Sequence, residues 1–508
     1  MSGRVTLGDT GTPVHGASVT ILQLRRSVVT DDNGKYEFQN LPPGNFDVAA
    51  HLDRANDVVQ RVVVPTSGSI TQDFQIQLTG VRETVTVTAT GTEESVSRSI
   101  QSVTVLGAIE LAQKNPVSLG EALDQELGVA KRSSGPGTAR PVLRGFDGDR
   151  VLVTQDGNRI GGLGFQSGDH AEPIDLLSVD RVEIVKGPAT LLYGSNAIGG
   201  LVNVISGHDS PHKGFNGYLT GLGSTNGGQA GGSGGIEFGT DRWLFWGNGG
   251  GQRSGNYQTP IGEIENSFSR EGSGTAGFGF YPKKAFFSFN YSFNGKRYGI
   301  PSAPEEHGEE EDEDEEEDHE DHHHELIELN PRRHSFQFRG GFRETGKFID
   351  AGTFSVQYNH YRHAEIESET GEIGTLFKND TFLYQGMFDQ RTTGRLSGRF
   401  GFWGLRRDFE AIGEEALAPP TTQNSFAVFA LETINFENLA LQFGGRIETN
   451  RYRPSFDPAR GQLPDRRFTG FSGAVGFRAN TWNGGAFVAN YTRSFRAPAL
   501  EELYNEGP

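Results

Sequence analysis

The chain has 508 residues, of which 34% are hydrophobic, 71 are Gly, 36 are Phe and none is Cys. The lack of Cys excludes disulfides and thiolate metal sites, and the net charge of −19 argues against a nucleic-acid partner. No run of about 18 apolar residues occurs, which excludes a transmembrane helix but leaves a barrel of alternating polar and apolar strands.

Residues 1–80 predict a small unit of short strands. Val- and Ile-rich segments are separated by Gly, Pro and Asp turns at the spacing of a β-sandwich. Asp31-Asp32-Asn33-Gly34 predicts a hairpin turn before the alternating Tyr36 and Phe38. The stretch TDDNGKYEFQNLPPGNFDVAA also resembles the carboxypeptidase regulatory-like domain, an immunoglobulin-like sandwich. That resemblance implies no peptidase activity.

Residues 81–91, VRETVTVTATG, are a polar, alternating and β-prone segment between two predicted domains. One interpretation is a plain linker strand. The other is an extended segment that adds its free backbone groups to the sheet edge of a partner. Its position directly before the next domain favours the second interpretation.

Residues 92–210 predict a mixed domain of strands and short helices. Val182 to Val185 predict one strand, Gly187-Pro188 a turn, and Leu201 to Ile205 a second strand. Upstream, Asp156-Gly157 predicts a tight turn between two more strands. The run LRGF, then DRVLVTQDG, then VDRVEIVKGPATLLYGSNAIGGLVNVIS resembles the plug domain of TonB-dependent outer-membrane receptors, in the same order.

This resemblance implies a non-enzymatic transport receptor of the outer membrane, in contact with its lipid, that is driven by a TonB-type periplasmic energy-transducing protein. It implies no cofactor. It also implies that Arg144 and Arg181 are plug arginines that pair with barrel carboxylates, although both could be plain surface arginines. The segment before the plug then resembles the energy-coupling box of the family, with these residues: Glu83, Thr84, Val85, Thr86, Val87, Thr88 and Ala89.

Residues 211–508 change to a period of two. Phe287, Phe289, Tyr291 and Phe293 alternate with Ser and Asn, as in strands with one face toward lipid and one toward a polar lumen. A soluble sandwich is disfavoured, because Ser, Asn, Gln and Gly are too polar for a dry core. The predicted fold class is therefore mostly β: an N-terminal sandwich, an α/β plug and an antiparallel transmembrane barrel.

The residues after 211 suffice for roughly a dozen strands, whereas plugged receptors need about 22. The final stretch, NYTRSFRAPALEELYNEGP, resembles a mid-barrel segment of the family. We therefore expect the chain to hold the N-terminal part of a barrel that does not close by itself. No signal peptide is visible at Met1-Ser2-Gly3-Arg4, so we also expect the start to be trimmed or misassigned.

Residues 305–325 form an acidic run with fifteen carboxylates, and without them the net charge is −4 (−19 + 15). An acidic run is usually a solvated, disordered segment. Histidines change this interpretation, because imidazole suits zinc, copper and nickel. We expect several weak metal sites in an extracellular loop, with these five ligands among the carboxylates: His307, His319, His322, His323 and His324.

Two further stretches carry candidate metal ligands. Asp169 and His170 lie in the plug segment GFQSGDHAEPIDLL, which resembles a DHA segment that contributes ligands in zinc-uptake receptors. His363, Glu365 and Glu367 lie in HYRHAEIE, which also resembles a segment of those receptors, and alternation places the two glutamates on one strand face. We expect a tight site between plug and barrel, built around Asp169 and His170.

The sequence therefore predicts a TonB-dependent importer of zinc or a related divalent metal, with zinc as substrate. One alternative is a receptor of the same class for a siderophore, cobalamin or an oligosaccharide. The other is a binding protein that sequesters metal without transport.

Overall fold

The computed structural model describes most of the chain, in the following ranges: 1–8, 11–24, 26–52, 55, 57–76, 85–86, 94–95, 99–187, 189–207, 212–260, 262–301, 326–343, 346, 348–413, 416, 418–436, 438–457, 461–482 and 485–505. Among these residues, no helix has both the length and the apolar composition needed to cross a membrane.

The N-terminal unit consists of two four-stranded sheets that share one core. Its strands are β1 (Ser2–Leu7), β2 (Thr12–Pro13), β3 (Ser18–Ile21), β4 (Arg26–Val29), β5 (Lys35–Glu37), β6 (Gly44–His51), β7 (Val58–Val64) and β8 (Phe74–Ile76). One sheet has the order β2-β1-β5 with β8 parallel to β1, and the other has the order β4-β3-β6-β7. Val5 and Phe74 of the first pack with Ile21 and Val48 of the second, as predicted for a sandwich.

The turn at Asp31–Gly34 does not close a hairpin. β4 before the turn pairs with β3, whereas β5 after it pairs with β1 in the other sheet. Gly34 has a φ of +71°, and the Asp31 carboxylate accepts hydrogen bonds from the Asn33 and Lys35 amides. The tight turn was therefore predicted correctly, but the hairpin was wrong because turn chemistry does not determine which strands pair.

The segment between the first two domains is described only at two short strands, β9 (Val85–Thr86) and β10 (Glu94–Ser95), which pair antiparallel. The predicted box residues Glu83, Thr84, Val87, Thr88 and Ala89 lie outside the described residues.

The plug is a mixed sheet with short helices around it. Its elements are β11 (Ser102–Gly107), α1 (Ala108–Lys114), α2 (Leu119–Leu123), β12 (Val129–Arg132), β13 (Arg140–Leu143), β14 (Val151–Gln155), β15 (Asn158–Arg159), β16 (Arg181–Lys186), α3 (Thr190–Tyr193) and β17 (Gly200–Ile205). The strand order is β11-β16-β17-β14-β15, with only the β14–β17 pair parallel. Ile184 and Val202, from the two strands predicted at 182–185 and 201–205, pair directly and are fully buried.

The last part is one antiparallel sheet of 14 strands. These strands and the minor elements near them are β18 (Gly214–Ser224), β19 (Gln229–Gly239), β20 (Trp243–Ser254), β21 (Gln258–Thr259), β22 (Gly262–Glu263), β23 (Ser269–Phe280), β24 (Ala285–Gly299), β25 (Ile327–Leu329), β26 (Arg332–Arg343), β27 (Ile349–Glu367), β28 (Ile373–Gln390), β29 (Leu396–Gly413), β30 (Thr421–Asn435), β31 (Leu439–Pro454), β32 (Arg466–Trp482), β33 (Gly485–Arg493) and α4 (Leu500–Tyr504). Within the described part of the chain, β21 and β22 pair with each other and not with the large sheet.

The strands of this sheet have one polar and one apolar face, as the alternation predicted. On β27, Phe354, Val356 and Tyr358 are 39–41% exposed, whereas Ser355 and Gln357 between them are buried against the plug. The outer face is therefore the face toward lipid, and the plug fills the concave, polar face.

The two ends of the sheet differ in the length of their connections. The connections after β24 and β20 are long, whereas those at the opposite end, such as the one from β30 to β31, are short. The sandwich lies at the short-turn end, where His15 hydrogen-bonds the Lys213 carbonyl just before β18. In transmembrane barrels the long connections are extracellular, so we take the end away from the sandwich as the outer one.

Candidate metal centre between plug and barrel

The plug segment around His170 lies between β15 and β16 and is fixed to the barrel through one side chain. The Tyr298 hydroxyl of β24 donates a hydrogen bond to the Asp169 carbonyl at 2.8 Å and accepts one from the Ala171 amide at 2.8 Å. Both partners flank His170, and Tyr298 is fully buried. The barrel therefore fixes the backbone on either side of the histidine.

His363 and Glu365 reach the same place from the barrel wall. Both lie near the outer end of β27 and point inward, since the side chains of alternate residues share a face. At Glu365 the register with β28 shifts: Glu365 pairs with Thr375, whereas Ile366 pairs with Ile373. Such bulges re-aim side chains and increase local twist, and this one lies directly at the site.

These three residues form a compact buried group. One potential ligand atom from each of His170, His363 and Glu365 lies within 4.8 Å of the others. His170 Nε2 is 3.2 Å from Glu365 Oε1, and the two imidazole centroids are 4.4 Å apart. The Phe377 ring of β28 packs against both imidazoles, with its centroid 5.3 Å from that of His170 and 5.4 Å from that of His363. The exposed fractions are 3%, 0% and 7%, so the group is shielded from water.

Each imidazole has one nitrogen with a neighbour and one without. His170 Nε2 faces Glu365, and His363 Nδ1 lies 3.5 Å from the Tyr361 hydroxyl. His170 Nδ1 and His363 Nε2 are buried without a hydrogen-bond partner among the described residues, as is Asp169 Oδ1. Buried polar atoms are paired in the great majority of cases, so the unpartnered nitrogens of His170 and His363 call for an explanation. Asp169, although predicted as a ligand, is not a member of the three-residue group.

A further carboxylate at this site was missed from the sequence. Glu172, two residues after His170, is buried against the plug backbone, where Oε1 accepts a hydrogen bond from the Gly164 amide. Burial raises the pKa of Glu172 to about 7, although the neighbouring Arg333 guanidinium opposes the shift. Only its proximity to the DH pair in the sequence could have identified it.

Other predicted ligands are not brought to this group. The Glu367 carboxylate lies beyond the register shift and accepts a hydrogen bond from Thr370 in the exposed turn after β27. The predicted loop ligands lie outside the described residues: His307, His319, His322, His323 and His324.

Among the residues that the structure describes, the two plug arginines do not form the predicted pairs with barrel carboxylates. Arg181 contacts plug carboxylates instead, with Nη1 at 2.6 Å from Asp180 and Nε at 2.9 Å from Glu183. Arg144 lies in a cavity of about 380 Å³ between the plug and β31–β33, and the described residues that line this cavity include no carboxylate. At another contact the plug supplies the negative charge and the barrel the positive one: the Asp149 carboxylate of the plug lies 3.3 Å from the Arg496 guanidinium.

Three family models match consecutive parts of the chain. The model described as "Carboxypeptidase regulatory-like domain" matches residues 1–79, "TonB-dependent Receptor Plug Domain" matches 95–201, and "TonB dependent receptor-like, beta-barrel" matches 256–508. The domain order agrees with the three structural parts described above.

Similar proteins differ in what they carry. The vitamin B12 transporter BtuB of Vibrio vulnificus is 38% identical over 130 residues, which cover 24% of this chain and 20% of that protein. The copper transporter OprC aligns with a TM-score of 0.63 at 15% identity, covering 78% of this chain and 64% of its own. The alcaligin receptor FauA from Bordetella pertussis aligns with a TM-score of 0.60 at 15% identity, covering 82% and 66%.

These alignments cover only part of each similar protein. The chain spans a fifth of the B12 transporter's length and slightly less than two thirds of the copper transporter's. At 15% identity the solved structures indicate the shared fold alone.

Proposed function

Because this chain belongs to the TonB-dependent receptors of the outer membrane, we propose that the whole protein imports zinc or a closely related divalent metal ion. The ion binds between plug and barrel, at His170, His363 and Glu365. A TonB-type periplasmic protein supplies the energy by pairing with the segment at 83–89, which precedes the plug.

One observation carries the proposal: one potential ligand atom from each of the buried residues His170, His363 and Glu365 lies within 4.8 Å of the others. A metal ion at this place would bind one nitrogen of each imidazole and one oxygen of the carboxylate, in a group that is shielded from water. Two imidazoles and one carboxylate are a frequent ligand set for Zn²⁺, whereas Ca²⁺ and Mg²⁺ prefer oxygen ligands alone. Asp169, whose Oδ1 is also unpartnered among the described residues, is the candidate for a fourth ligand.

The positions of the ligands support transport rather than storage. His170 belongs to the plug, whereas His363 and Glu365 belong to the barrel wall. Movement of the plug would therefore separate the ligands and release the ion inward. A sequestering protein would have no need to divide its site between two domains.

The similarity to vitamin B12 transporters favours a second candidate, a corrinoid substrate. A discriminating experiment uses the full-length receptor in cells that lack their own zinc and B12 receptors. Uptake of radioactive zinc and of labelled cyanocobalamin is measured with the parent, the His170→Ala variant and the His363→Ala variant, with the TonB-type partner present or deleted.

Partner-dependent zinc uptake that both substitutions abolish is the expected result. Cyanocobalamin uptake that both variants retain, without zinc uptake by the parent, would reject the metal proposal. Zinc retained by the purified parent without partner-dependent uptake would favour the sequestering alternative.

A further inference from the structure

The cavity of about 380 Å³ between the plug and β31–β33 is cationic on its plug side. The charged residues that line it, in the described part of the chain, are Arg144 and Lys186 of the plug. The other polar side chains in its wall are neutral hydroxyl and amide groups. A water molecule takes up about 30 Å³, so the cavity has room for a small ion together with several waters.

The two cations are close neighbours. A Cβ atom added at Gly128 would lie 3.8 Å from Arg144 Cγ and 4.0 Å from Lys186 Cδ, so both side chains pass over the same glycine. The Arg144 guanidinium then reaches Gly187, the residue directly after Lys186, where an added Cβ would lie 3.4 Å from Nη1. Two positive charges are thus held together on one side of the cavity, and like charges at short range repel each other.

Within the described part of the chain, Lys186 has no counter-charge of its own. Its side chain is only 9% exposed, yet the ammonium group forms no hydrogen bond and no ion pair with a described residue. Burial lowers the pKa of Lys186, the Glu126 charge opposes this shift, and the Arg144 charge adds to it. Glu126 itself is paired with Lys114 at 2.8 Å. Because lysine is almost never buried unless it is paired, this ammonium group calls for a partner.

Arg144 is positioned by an uncommon backbone conformation. Its φ of +50° lies in the left-handed region, which residues other than glycine rarely adopt. The Arg144 amide donates a hydrogen bond to the Gly128 carbonyl at 3.0 Å, which holds the chain in this turn. Residues in such conformations cluster at ligand-binding and switch regions. The Arg144 side chain, like that of Lys186, forms no hydrogen bond or ion pair with any residue that the structure describes.

The barrel side of the cavity offers neutral donors. Asn490 of β33 uses one amide N–H for the Ile100 carbonyl at 3.1 Å, and Gln442 of β31 uses one for the Thr433 hydroxyl at 3.4 Å. A side-chain amide has two N–H donors, so each of these residues retains one for a ligand. The cavity therefore combines two cations from the plug with hydrogen-bond donors from the barrel wall.

We propose that Arg144 and Lys186 bind a small oxyanion of the phosphate class in this cavity. A guanidinium group binds phosphate oxygens through paired hydrogen bonds, and an ammonium group adds a compact positive charge. The bound oxyanion relieves the repulsion between the two cations and gives the buried ammonium group its partner. Because plug cations and barrel amides contact it together, the anion also stabilises the plug inside the barrel. This site is separate from the metal centre and does not depend on zinc binding.

The test measures phosphate binding to the full-length, zinc-free receptor in detergent. Radioactive inorganic phosphate is used in equilibrium dialysis at constant ionic strength, with chloride as the competing anion. The test variants are Arg144→Gln, Lys186→Gln and the double variant, and Lys186→Arg retains the charge. The matched control is Lys131→Gln, which removes a plug charge that is already paired with Asp124 at 3.2 Å.

We expect the parent to bind one phosphate per receptor. Each single test substitution should weaken this binding at least about 10-fold, because hydrogen bonds to charged groups contribute on this scale. Lys131→Gln and Lys186→Arg should lose less than about 3-fold in affinity. Phosphate should also raise the unfolding temperature of the parent above its value in chloride and leave that of the double variant unchanged. Unchanged heat-modifiable migration on gels shows that the variants are folded.

Three results would overturn the proposal. One is a parent that binds no phosphate in excess of chloride, which would mean that another part of the protein supplies the counter-charge. Another is an equal loss of phosphate affinity in Lys131→Gln and in the test variants. The third is parent-like phosphate affinity in the folded double variant.

Discussion

The buried group between plug and barrel makes a quantitative prediction about metal affinity. Three substitutions each remove one proposed ligand: His170→Ala, His363→Ala and Glu365→Gln. Glu367→Gln is the matched control, because it removes the same charge two residues further along β27, where the carboxylate accepts a hydrogen bond from the exposed Thr370.

The expected size of the effect follows from the ligand count. Loss of an outer-shell partner typically costs 10- to 100-fold in metal affinity, so loss of a direct ligand should cost at least about 100-fold. If zinc is supplied at about 100 times the parent's Kd, binding stabilises the parent by about 2.7 kcal/mol. A variant with about 100-fold weaker affinity gains only about 0.4 kcal/mol at the same zinc concentration.

Two measurements on the full-length receptor in detergent check this. Competition with a chromophoric zinc chelator gives the Kd, and thermal unfolding with and without zinc gives the stabilisation. The control should match the parent in both. Parent-like zinc affinity in all three ligand variants, or an equal loss in Glu367→Gln, would refute the assignment of this group as a metal site.

Four further predictions follow from the structure and the sequence. Tyr298→Phe removes the hydroxyl that holds both sides of His170, and it should weaken zinc binding by about 10-fold while every ligand remains; an unchanged Kd would contradict the positioning role. Val85→Pro removes a backbone donor needed for strand addition and should lower partner-dependent uptake, measured in cells with Thr86→Val as the control; wild-type uptake would end the coupling assignment. Deletion of 305–325 should slow zinc uptake at low zinc and leave it nearly unchanged at high zinc, because the run attracts cations without forming the tight site; equal slowing at both concentrations would argue against this role. Burial raises the pKa of Glu172 from 4.5 to about 7. Below pH 4.5 this shift therefore contributes about 3 kcal/mol to the free energy of unfolding, and the contribution is lost as the pH rises through 7. In Glu172→Gln that part of the pH dependence should vanish from thermal unfolding curves, and identical curves for parent and variant would count against it.

Local patterns in the sequence were reliable guides to local structure. The Asp156-Gly157 pair has φ values of +49° and +76°, and it forms the predicted tight turn between β14 and β15. The apolar residues of the period-two strands face outward, because alternation in a strand is a direct consequence of backbone geometry. The domain order was likewise evident from the resemblance of the plug run.

Contacts between distant parts of the chain were less predictable. His170 and Glu365 are 195 residues apart, and only the resemblance to zinc-uptake receptors drew attention to both segments. Alternation alone treated Glu365 and Glu367 as equivalent, but a register shift at Glu365 depends on the neighbouring strand. The partners of Arg181 and the contribution of Tyr298 depend on packing that no local pattern encodes.

The division of the buried group between two domains also links chemistry to mechanics. An ion that contacts His170 and His363 at once stabilises the plug in its place inside the barrel. Because such coupling is reciprocal, a force that displaces the plug must lower the affinity for the ion by the same coupling free energy. The group would therefore act as a force sensor as well as a binding site. A zinc-loaded receptor should need a larger force to extract its plug in a single-molecule pulling experiment than the same receptor without zinc.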